Sequence, residues 1–413
     1  MSGGDNWTGP ALSSYFQGEV AAESMKRLGY AASALGNHEL DFGRAAFSKN
    51  HDREGFPYLA ANVTPPANSG GVSESWRIFS RNGVKIGVIG LATRSTPIHG
   101  MRSNYDGLRF DDESSTLERE VPAVYAAGAD AVVVIAHVCA DELAPIVAAH
   151  PDWKLAFVGA GHCHRLDLRE AANTPVVEPG SFLQKYVRIT LKIDRAAPVR
   201  ERVVMSRPEV VDLTYAEGSN APFAPDPEMS ALVSSWQAKT DAALGEVIGY
   251  AKNQIEPDSI QLNQLITDAW RETTHADVAL INKYATRQAI LPGPISLQTI
   301  YSVMPFDNHL VTVKVTGAQL LENIHCCDAY MSGVKALGKG KTNLVLSNGK
   351  PIDPKKTYTV TVTDFTYFGG SGSTLGKYDK SGVFSVDWRE PVINAIRNRK
   401  STSAKGLDEL LAK

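Results

Sequence analysis

Features that define several protein classes are scarce in this sequence. The 413-residue chain has only four cysteines, too few for the disulfide framework of small secreted domains. Its formal net charge is −3, without the basic excess of proteins that bind nucleic acid or anionic membranes. No segment approaches the roughly 18 consecutive apolar residues of a membrane-spanning helix. The sequence therefore predicts neither a nucleic-acid partner nor a membrane span.

Two short motifs are also missing. The opening residues, MSGGDNWTGP, have neither the basic start nor the apolar core of a signal peptide. No Gly-x-Ser-x-Gly segment occurs, so the sequence gives no indication of a serine nucleophile. What the chain does have is an ordinary globular composition, with 43% hydrophobic and 21% charged residues, over a length that suggests two or three domains.

Apolar runs alternate with helical patterns in the first half of the chain. The runs Val84–Ala92, Ala129–His137 and Lys154–His164 are short and apolar, which is typical of strands covered on both faces. The segments between them have helical spacing and end at Gly128 and before Pro151. This alternation predicts a layered α/β domain.

A segment rich in proline and small residues, APFAPDPEMS, marks the best domain boundary. We predict a first domain over 1–215, a linker over 216–244 with a connector helix from about Pro227 to Leu244, and a second domain over 245–413. In the second half, SIQLNQLITDAWRETTH has helical spacing, whereas ADVALI, HLVTVKVTG and TYTVTVTDF are typical of strands. The second domain is therefore also expected to be α/β.

Polar side chains follow the ends of the predicted strands in the first domain. They are Asp5 in GGDNWTG, Asn37 and His38 in ALGNHELDFG, His137 after AVVVIA, and His162 and His164 after LAFVGA. Ligands of open α/β sheets collect beyond the carboxyl ends of the strands, so these side chains are expected to converge. A carboxylate, an amide oxygen and three imidazoles suit Mn²⁺, Zn²⁺, Fe²⁺ or Co²⁺ better than Mg²⁺ or Ca²⁺.

Each motif also has an ordinary structural interpretation. A histidine after a strand, such as His137, is often a buried packing residue, and GGDNWTG alone is a glycine turn. Side chains alternate along extended chain, so Cys163 should face away from the imidazoles beside it. Cys139 and Cys163 are therefore interpreted as small packing residues, with a redox-sensitive or soft-metal site as the alternative. The motifs taken together favour a metal centre.

GGDNWTGP, GNHELDFG, AHVCADE and GHCH, in this order, resemble the calcineurin-like metallophosphoesterases. More narrowly, they resemble the bacterial 5'-nucleotidase / 2',3'-cyclic-nucleotide phosphodiesterase family. LNQLITDAWRETTHADVALIN and GPISLQTIYSVMPFDNHLVTVKVTGAQL are similar to that family's C-terminal nucleotide-binding domain. The resemblance implies a four-layer α/β/β/α sandwich, a connector helix and a separate α/β nucleotide-binding domain. It also implies a periplasmic or secreted protein.

The resemblance assigns roles to the polar residues. Asp5 would bridge two divalent metal ions (Mn, Zn, Co or Fe), Asn37, His137 and His162 would complete one site, and His164 would belong to the other. His38 would be the catalytic histidine, oriented by Asp41. The implied reaction releases phosphate from a 5'-nucleotide by attack of a metal-bound hydroxide.

The sequence departs from the family pattern before Asp5. The family opens with an Asp-x-His strand that supplies two ligands to the first metal site, and no Asp-x-His precedes Asp5 here. One metal site is therefore expected to be incomplete. We interpret the chain as truncated, because SGGDNWTG keeps its ligand and its glycines, and a degenerate single-metal relative is the alternative.

The second domain departs from the pattern too. NKYATR keeps Asn282 and Arg287 but loses the family's glycines, and GGSGSTL has Ser371 in place of an acid. Candidate substrate-binding residues are Asn282, Arg287, Phe365 and Phe368. Arg287 is either a phosphate anchor or part of a surface ion pair. Phe365 and Phe368 either stack on a base or belong to the core. Three functions stay open: a 5'-nucleotidase, a hydrolase of cyclic nucleotides, nucleotide sugars or other phosphoesters, and a silent nucleotide-binding protein.

Overall fold

The computed structural model describes the chain except residues 68–70, 215–223, 327–328, 338–342 and 413. The first eight residues of the predicted linker thus lie outside the described residues. Contacts divide the chain into two compact units. The first unit comprises Met1–Trp7, Ala21–Pro97 and Tyr105–Ser230, and the second comprises Thr8–Val20, Ile98–Asn104 and Ala231–Lys413. The predicted domain boundaries remain predictions.

The described helices fall in both halves of the sequence. The α-helices are Ala11–Ser14, Glu19–Arg27, Gly43–Glu54, Thr96–His99, Glu113–Ala126, Ala140–Ala149, Pro227–Leu244, Ile260–Thr274, Leu297–Val303, Gly317–Cys326, Asp364–Tyr367, Leu375–Tyr378, Glu390–Arg399 and Leu407–Leu411. Short 3-10 helices cover Arg102–Tyr105, Pro151–Trp153, Val199–Glu201 and Gly370–Gly372. Among the helices that the structure describes, none is long and apolar enough to cross a membrane.

A six-stranded sheet forms the centre of the first unit. Its strands, in spatial order, are Trp76–Arg81, Val84–Ala92, Ala131–His137, Phe157–Gly159, Thr174–Pro179 and Leu166–Ala171. The four inner strands run parallel, so their carboxyl ends lie at one edge of the sheet. Three two-stranded sheets accompany it: Ser33–Ala34 with Tyr58–Leu59, Val63–Thr64 with Arg109–Phe110, and Lys185–Ile193 with Val203–Asp212.

The core of this unit follows from the sequence pattern. Val121 and Val124 of the helix Glu113–Ala126 and Leu143 of Ala140–Ala149 share a buried cluster with Val132 and Val134 of the central strand. The strand predicted over Lys154–His164 forms only at Phe157–Gly159, because the chain turns immediately afterwards. That early turn determines the geometry of the histidines that follow.

The second unit is built around a five-stranded mixed sheet. Its spatial order is Tyr330–Ser332, Val278–Ile281, Thr357–Thr363, His309–Thr316 and Val383–Asp387, and Val247–Ala251 pairs with Gly293–Ser296 and Val334–Ala336 with Leu344–Leu346 in smaller sheets. Val278–Ile281 and Thr357–Thr363 are parallel neighbours, so their carboxyl ends are adjacent. Trp270 and Trp388 are fully buried beside this sheet, and the Trp270 indole donates to the Trp388 carbonyl.

An aromatic cluster in the first unit contains a buried carboxyl group. Trp7, Phe47 and Tyr58 pack edge to face or tilted, with ring centroids 5.1–5.7 Å apart. Glu54, which is 3% exposed, accepts hydrogen bonds from the Trp7 indole at 2.8 Å and the Tyr58 hydroxyl at 3.3 Å. Burial raises the pKa of Glu54 to about 7 in spite of these hydrogen bonds.

The raised pKa predicts that Glu54→Gln stabilises the protein progressively as the pH rises. The folded wild-type protein binds the Glu54 proton more tightly than the unfolded chain does. Proton binding therefore stabilises wild type fully at low pH, and wild type loses this stabilisation as the pH rises through about 7, whereas glutamine carries no such proton. A shift of this size corresponds to at most roughly 3 kcal/mol. The melting temperature of Glu54→Gln relative to wild type should increase between pH 4.5 and 8. The exposed Glu118→Gln should show no such trend, and a pH-independent difference for Glu54→Gln would contradict the prediction.

Candidate active site

Four potential ligand atoms converge where two parallel strands end. His137 is the last residue of its strand, and His162 lies in the turn after Phe157–Gly159. The Nε2 atom of His137 lies 3.0 Å from Asp5 Oδ2, 3.0 Å from Asn37 Oδ1 and 3.2 Å from His162 Nδ1. The structure therefore brings together Asp5, Asn37, His137 and His162, as their positions after strands predicted.

These separations fit a divalent metal ion. Ligand atoms bound at about 2.1 Å and at right angles to one another stand about 3 Å apart. Among the described residues, Asp5, His137 and His162 form a group whose ligand atoms all lie within 4.8 Å of one another, and Asn37 adds an amide oxygen. This mixed nitrogen and oxygen set suits a first-row transition metal.

His164 lies outside that group. Its side chain is exposed, its φ angle is 57°, and its ring centroid lies 6.0 Å from that of Phe182. Among the described residues, the group of converging ligand atoms does not include His164, which the resemblance assigned to a second metal ion. That assignment remains a prediction.

Glycines allow the ligand-bearing turns to approach one another. Gly4 has a φ angle of 93°, in the left-handed region that favours glycine, directly before Asp5. A side chain at Gly36, directly before Asn37, would overlap the carboxylates of Asp5 and Glu39. The glycines of GGD and GNH are therefore needed for the close contact between the Asp5 and Asn37 turns.

Glu39 holds these two turns together, a role that the sequence analysis missed. Its carboxylate accepts hydrogen bonds from the backbone amides of Asp5 at 3.0 Å, Asn6 at 2.7 Å and Gly36 at 2.6 Å. Glu39 is 1% exposed, and burial together with the Asp5 charge raises its pKa to about 7. The acid in GNHE was the available signal, because a carboxylate inside a tight turn is a ready acceptor for neighbouring amides.

His38 and Asp41 form the predicted pair. The Nδ1 atom of His38 lies 2.8 Å from Asp41 Oδ2, and the His38 amide donates to Asp5 Oδ1 at 2.8 Å. The Tyr105 hydroxyl donates to the Asn37 carbonyl at 2.6 Å, a second contact that the sequence did not indicate. These contacts fix the turn that places His38 next to the ligand group.

The charges of the group are mutually dependent. Burial alone would lower the pKa of His137, but the charge and hydrogen bond of Asp5 outweigh it and raise this pKa to about 9. Burial likewise opposes ionisation of Asp5, yet His137 and His38 hold its pKa well below the usual range. His137 Nδ1 lies 2.7 Å from the Gly3 carbonyl, which orients Nε2 toward the other ligands. A bound cation would replace a proton in this cluster.

The interpretation of Cys139 and Cys163 as separate packing residues is wrong. The two cysteines form a disulfide bond, with Cα atoms 5.3 Å apart. Cys139 follows one strand and Cys163 follows its parallel neighbour, so both lie at the same edge of the sheet. The prediction assumed extended chain, but His162 and His164 have φ angles of 80° and 57°, which break the alternation of side chains.

Comparison with known proteins identifies the second half of the chain. Residues 238–377 match the model of the 5'-nucleotidase, C-terminal domain. The chain is 24% identical to the 5'-nucleotidase of Vibrio cholerae, over 90% of this chain and 77% of that protein. Residues 238–377 therefore belong to the 5'-nucleotidase C-terminal domain family. It is also 24% identical to Endonuclease YhcR of Bacillus subtilis, over 94% of this chain but only 34% of that protein's length.

The fold of this chain agrees with a solved structure. The crystal structure of a 5'-nucleotidase precursor from Thermus thermophilus matches with a TM-score of 0.79 and 21% identity, over 98% of this chain and 88% of that one. The layered α/β fold class predicted from the sequence is thereby confirmed.

The predicted substrate-binding residues all lie inside the matched C-terminal domain. Asn282 follows Val278–Ile281 and lines a small cavity with Thr366 and Ser373, which follow the adjacent parallel strand. The Phe365 ring packs against the backbone of Gly370, where a side chain would overlap it.

The other two candidates face different surroundings. Phe368 is 39% exposed and its ring lies 5.1 Å from that of Tyr367. The Arg287 guanidinium lies over the Phe306 ring, 5.1 Å from its centre, an aromatic partner that the sequence analysis did not single out. Asn282 and Thr366 are thus brought to one cavity, whereas Arg287 contacts the loop that carries Phe306.

The Glu39 contacts predict that Glu39→Gln weakens metal binding. The glutamine side chain would turn an NH₂ group toward backbone N–H donors, so the Asp5 and Asn37 turns would separate. The dissociation constant for Mn²⁺, measured by calorimetry, should rise roughly tenfold or more, as for other residues that orient metal ligands. Glu118→Gln, on an exposed helix face, is the control. Unchanged affinity in Glu39→Gln would show that the turns hold without this carboxylate.

Proposed function

We propose that this chain is a metal-dependent phosphohydrolase that releases phosphate from 5'-nucleotides. The observation that carries the proposal is the convergence of Asp5, Asn37, His137 and His162 at about 3 Å, beside the His38–Asp41 pair. The names of the relatives, which include a 5'-nucleotidase, support a nucleotide as the substrate. Hydrolysis of a negatively charged phosphoester needs positive charge beside the phosphoryl group. The ligand atoms of this chain could hold a cation that supplies this charge.

In this proposal Asp5, Asn37, His137 and His162 would hold one divalent ion, Mn²⁺, Zn²⁺, Co²⁺ or Fe²⁺, and Asp5 and His164 would contribute to a second, incomplete site. A bound divalent cation supplies positive charge against the phosphoryl oxygens, its general role in phosphoester hydrolysis. The partly buried carboxylate of Asp5 would provide the negative charge that such an ion requires. Gly3 and Glu39 keep the ligand atoms oriented.

His38 handles charge or protons at the substrate. Asp41 is hydrogen-bonded to Nδ1, which assigns the proton there and turns Nε2 toward the substrate. The imidazole then stabilises the developing charge on the phosphoryl group or the leaving oxygen. Because the His38 amide also donates to Asp5, the imidazole and the ligand group keep a fixed separation.

The second unit selects the nucleoside. Phe365 offers an aromatic face for a base, since stacking requires only a π surface, and Phe368 adds a partly exposed ring. Asn282 lines the neighbouring cavity, and Arg287 is the candidate phosphate anchor. Ser371 lacks the acid of the family pattern, so contacts to the sugar should differ from those of relatives that retain it.

The disulfide favours a location outside the cytoplasm. Disulfide bonds persist in oxidising compartments such as the periplasm or the cell exterior. The Cys139–Cys163 pair therefore supports a periplasmic or secreted protein, in line with a relative named Cell wall protein Lmo0130.

A second candidate activity is hydrolysis of phosphodiesters, including cyclic nucleotides, or of nucleotide sugars at the same site. The relative named Endonuclease YhcR supports this alternative, because its name implies cleavage of a phosphodiester. The loss of the acid at Ser371 is compatible with a substrate other than a simple 5'-nucleotide. The same ligand group would serve either reaction.

The proposed activity predicts metal-dependent phosphate release that requires His38. Phosphate is measured with 5'-nucleotides, 2',3'-cyclic nucleotides and bis(4-nitrophenyl) phosphate in the presence of Mn²⁺, Co²⁺ or Zn²⁺. His38→Ala should lower kcat roughly 100-fold or more, the range for loss of a proton-transfer group. Its affinity for metal should stay near that of wild type, because His38 is not among the ligands.

The control for this assay is His51→Ala, since His51 is a half-exposed histidine on the helix Gly43–Glu54. It should leave kcat unchanged. Turnover of the diesters alone would establish the second candidate activity instead. Absence of turnover with every metal would contradict both hydrolase proposals and leave a nucleotide-binding protein.

The stacking role predicts that Phe365→Ala raises KM. Loss of base stacking by alanine substitution costs roughly 1–3 kcal/mol per base, so KM for a preferred nucleotide should rise about fivefold or more. The KM for bis(4-nitrophenyl) phosphate, which has no base, should change much less. Tyr186→Ala removes an exposed aromatic side chain of the first unit and serves as the control. Equal effects of Phe365→Ala on both substrates would argue against stacking.

A further inference from the structure

The Cys139–Cys163 disulfide joins the two turns that carry metal ligands. Cys139 lies two residues after His137, and Cys163 lies between His162 and His164. Its Cα atoms are 5.3 Å apart, an ordinary separation for bonded cysteines. The bond therefore closes a loop of chain whose two ends both bear ligands of the candidate site.

We propose that this disulfide positions His137 and His162 for metal binding, so that its reduction weakens the metal site. The proposal rests on the proposed function, because it presupposes that these histidines bind metal. It adds a pair of positioning residues, Cys139 and Cys163, that act through the ligands beside them. Neither cysteine contacts the substrate in this proposal.

The pairing between the two ligand-bearing strands ends before His137 and His162. The strands Ala131–His137 and Phe157–Gly159 pair only from Val133–Phe157 to Ile135–Gly159. Beyond that point, the Gly161 amide donates to the Val138 carbonyl at 3.2 Å, and the disulfide follows. Backbone hydrogen bonds between the two strands therefore do not extend to His162. Beyond the last of them, the Cys139–Cys163 disulfide connects the two segments.

The His162 turn has an unfavourable backbone conformation. His162 and His164 have φ angles of 80° and 57°, values that non-glycine residues adopt infrequently and at a free-energy cost. Surrounding contacts must hold such a turn in place. Cys163 lies between these two residues, so its bond to the buried Cys139 anchors the turn at its centre.

A buried carboxylate reinforces the same junction. Glu178, which is fully buried, accepts a hydrogen bond from the Ala140 amide at 3.4 Å. It also lies beside the backbone amides of Cys163 and Arg165. Glu178 thus contacts the residue after Cys139 and the turn that contains Cys163. The junction combines one covalent and one polar connection.

The bond is accessible to a reductant from one side. Cys139 is 2% exposed, but Cys163 is exposed. A phosphine such as tris(2-carboxyethyl)phosphine would attack a sulfur atom and break the S–S bond. Water then supplies the oxygen of the phosphine oxide and the protons of two thiols, which balances this two-electron reduction. Reduction leaves the turns connected only by their non-covalent contacts.

The test compares Mn²⁺ affinity in three forms of the full chain. These are the oxidised wild type, wild type reduced with the phosphine, and Cys139→Ala/Cys163→Ala. Calorimetric dissociation constants for reduced wild type and the double variant should exceed that of the oxidised protein by about tenfold or more, the effect typical of groups that orient ligands. Reoxidation of wild type should restore its affinity, and the phosphine should not alter the double variant further.

Two controls separate positioning from general stabilisation. Cys326→Ala/Cys327→Ala removes the other two cysteines and should retain the sensitivity of metal affinity to the phosphine. Melting temperatures are recorded for every form at saturating and zero Mn²⁺. A merely structural disulfide would lower the metal-free melting temperature without changing the dissociation constant.

The outcomes are distinct. Equal Mn²⁺ affinity in the oxidised, reduced and double-variant proteins would overturn the positioning role while leaving the proposed function intact. Intact-mass measurement that finds free thiols at Cys139 and Cys163 in the non-reduced protein would also overturn it. If the oxidised wild type binds no divalent metal and has no phosphatase activity, the proposed function itself fails, and this inference fails with it.

Discussion

Parallel pairing of Val84–Ala92, Ala131–His137 and Phe157–Gly159 places their carboxyl ends at one edge of the first sheet. The candidate active site depends on this constraint, because His137 and the turn that carries His162 follow two adjacent strand ends. Turns rich in glycine then bring Asp5 and Asn37 to the same edge. A chain with the same motifs in antiparallel strands would place these side chains at opposite ends of the sheet.

Buried charge is the second constraint on this region. An isolated carboxylate is unfavourable in a protein interior, so each buried acid needs donors or a cation. Asp5 is balanced by His137, Glu39 accepts three backbone amides, and Glu54 is held by Trp7 and Tyr58. Of these three, only the Asp5 group also contains an amide oxygen and two imidazoles, from Asn37, His137 and His162. That difference distinguishes a candidate metal centre from two acids that connect neighbouring segments.

In the second unit, too, polar and aromatic side chains follow the ends of adjacent parallel strands. Val278–Ile281 and Thr357–Thr363 are parallel neighbours, and Asn282 and the Phe365 segment follow their ends. Here the strand ends present an amide, hydroxyl groups and aromatic rings rather than imidazoles. Such groups suit a neutral base or sugar more than a metal ion. Strand topology gives the location in both units, and residue type gives the chemistry.

The bounds of several strands and helices, and the position of the candidate site, could be predicted from the sequence. The strand Val84–Ala92 and the helix Pro227–Leu244 have the predicted bounds, since apolar periodicity and local composition are properties of adjacent residues. The sequence also predicted that Asp5, Asn37, His137 and His162 converge, and the structure brings their side chains together; their role as metal ligands remains a prediction. Only the tertiary structure showed the Cys139–Cys163 bond and the hydrogen bonds that Glu39 accepts from two turns. The same is true of the inclusion of Thr8–Val20 in the second unit. These features depend on left-handed turns and on which distant segments become neighbours, and local sequence patterns specify neither.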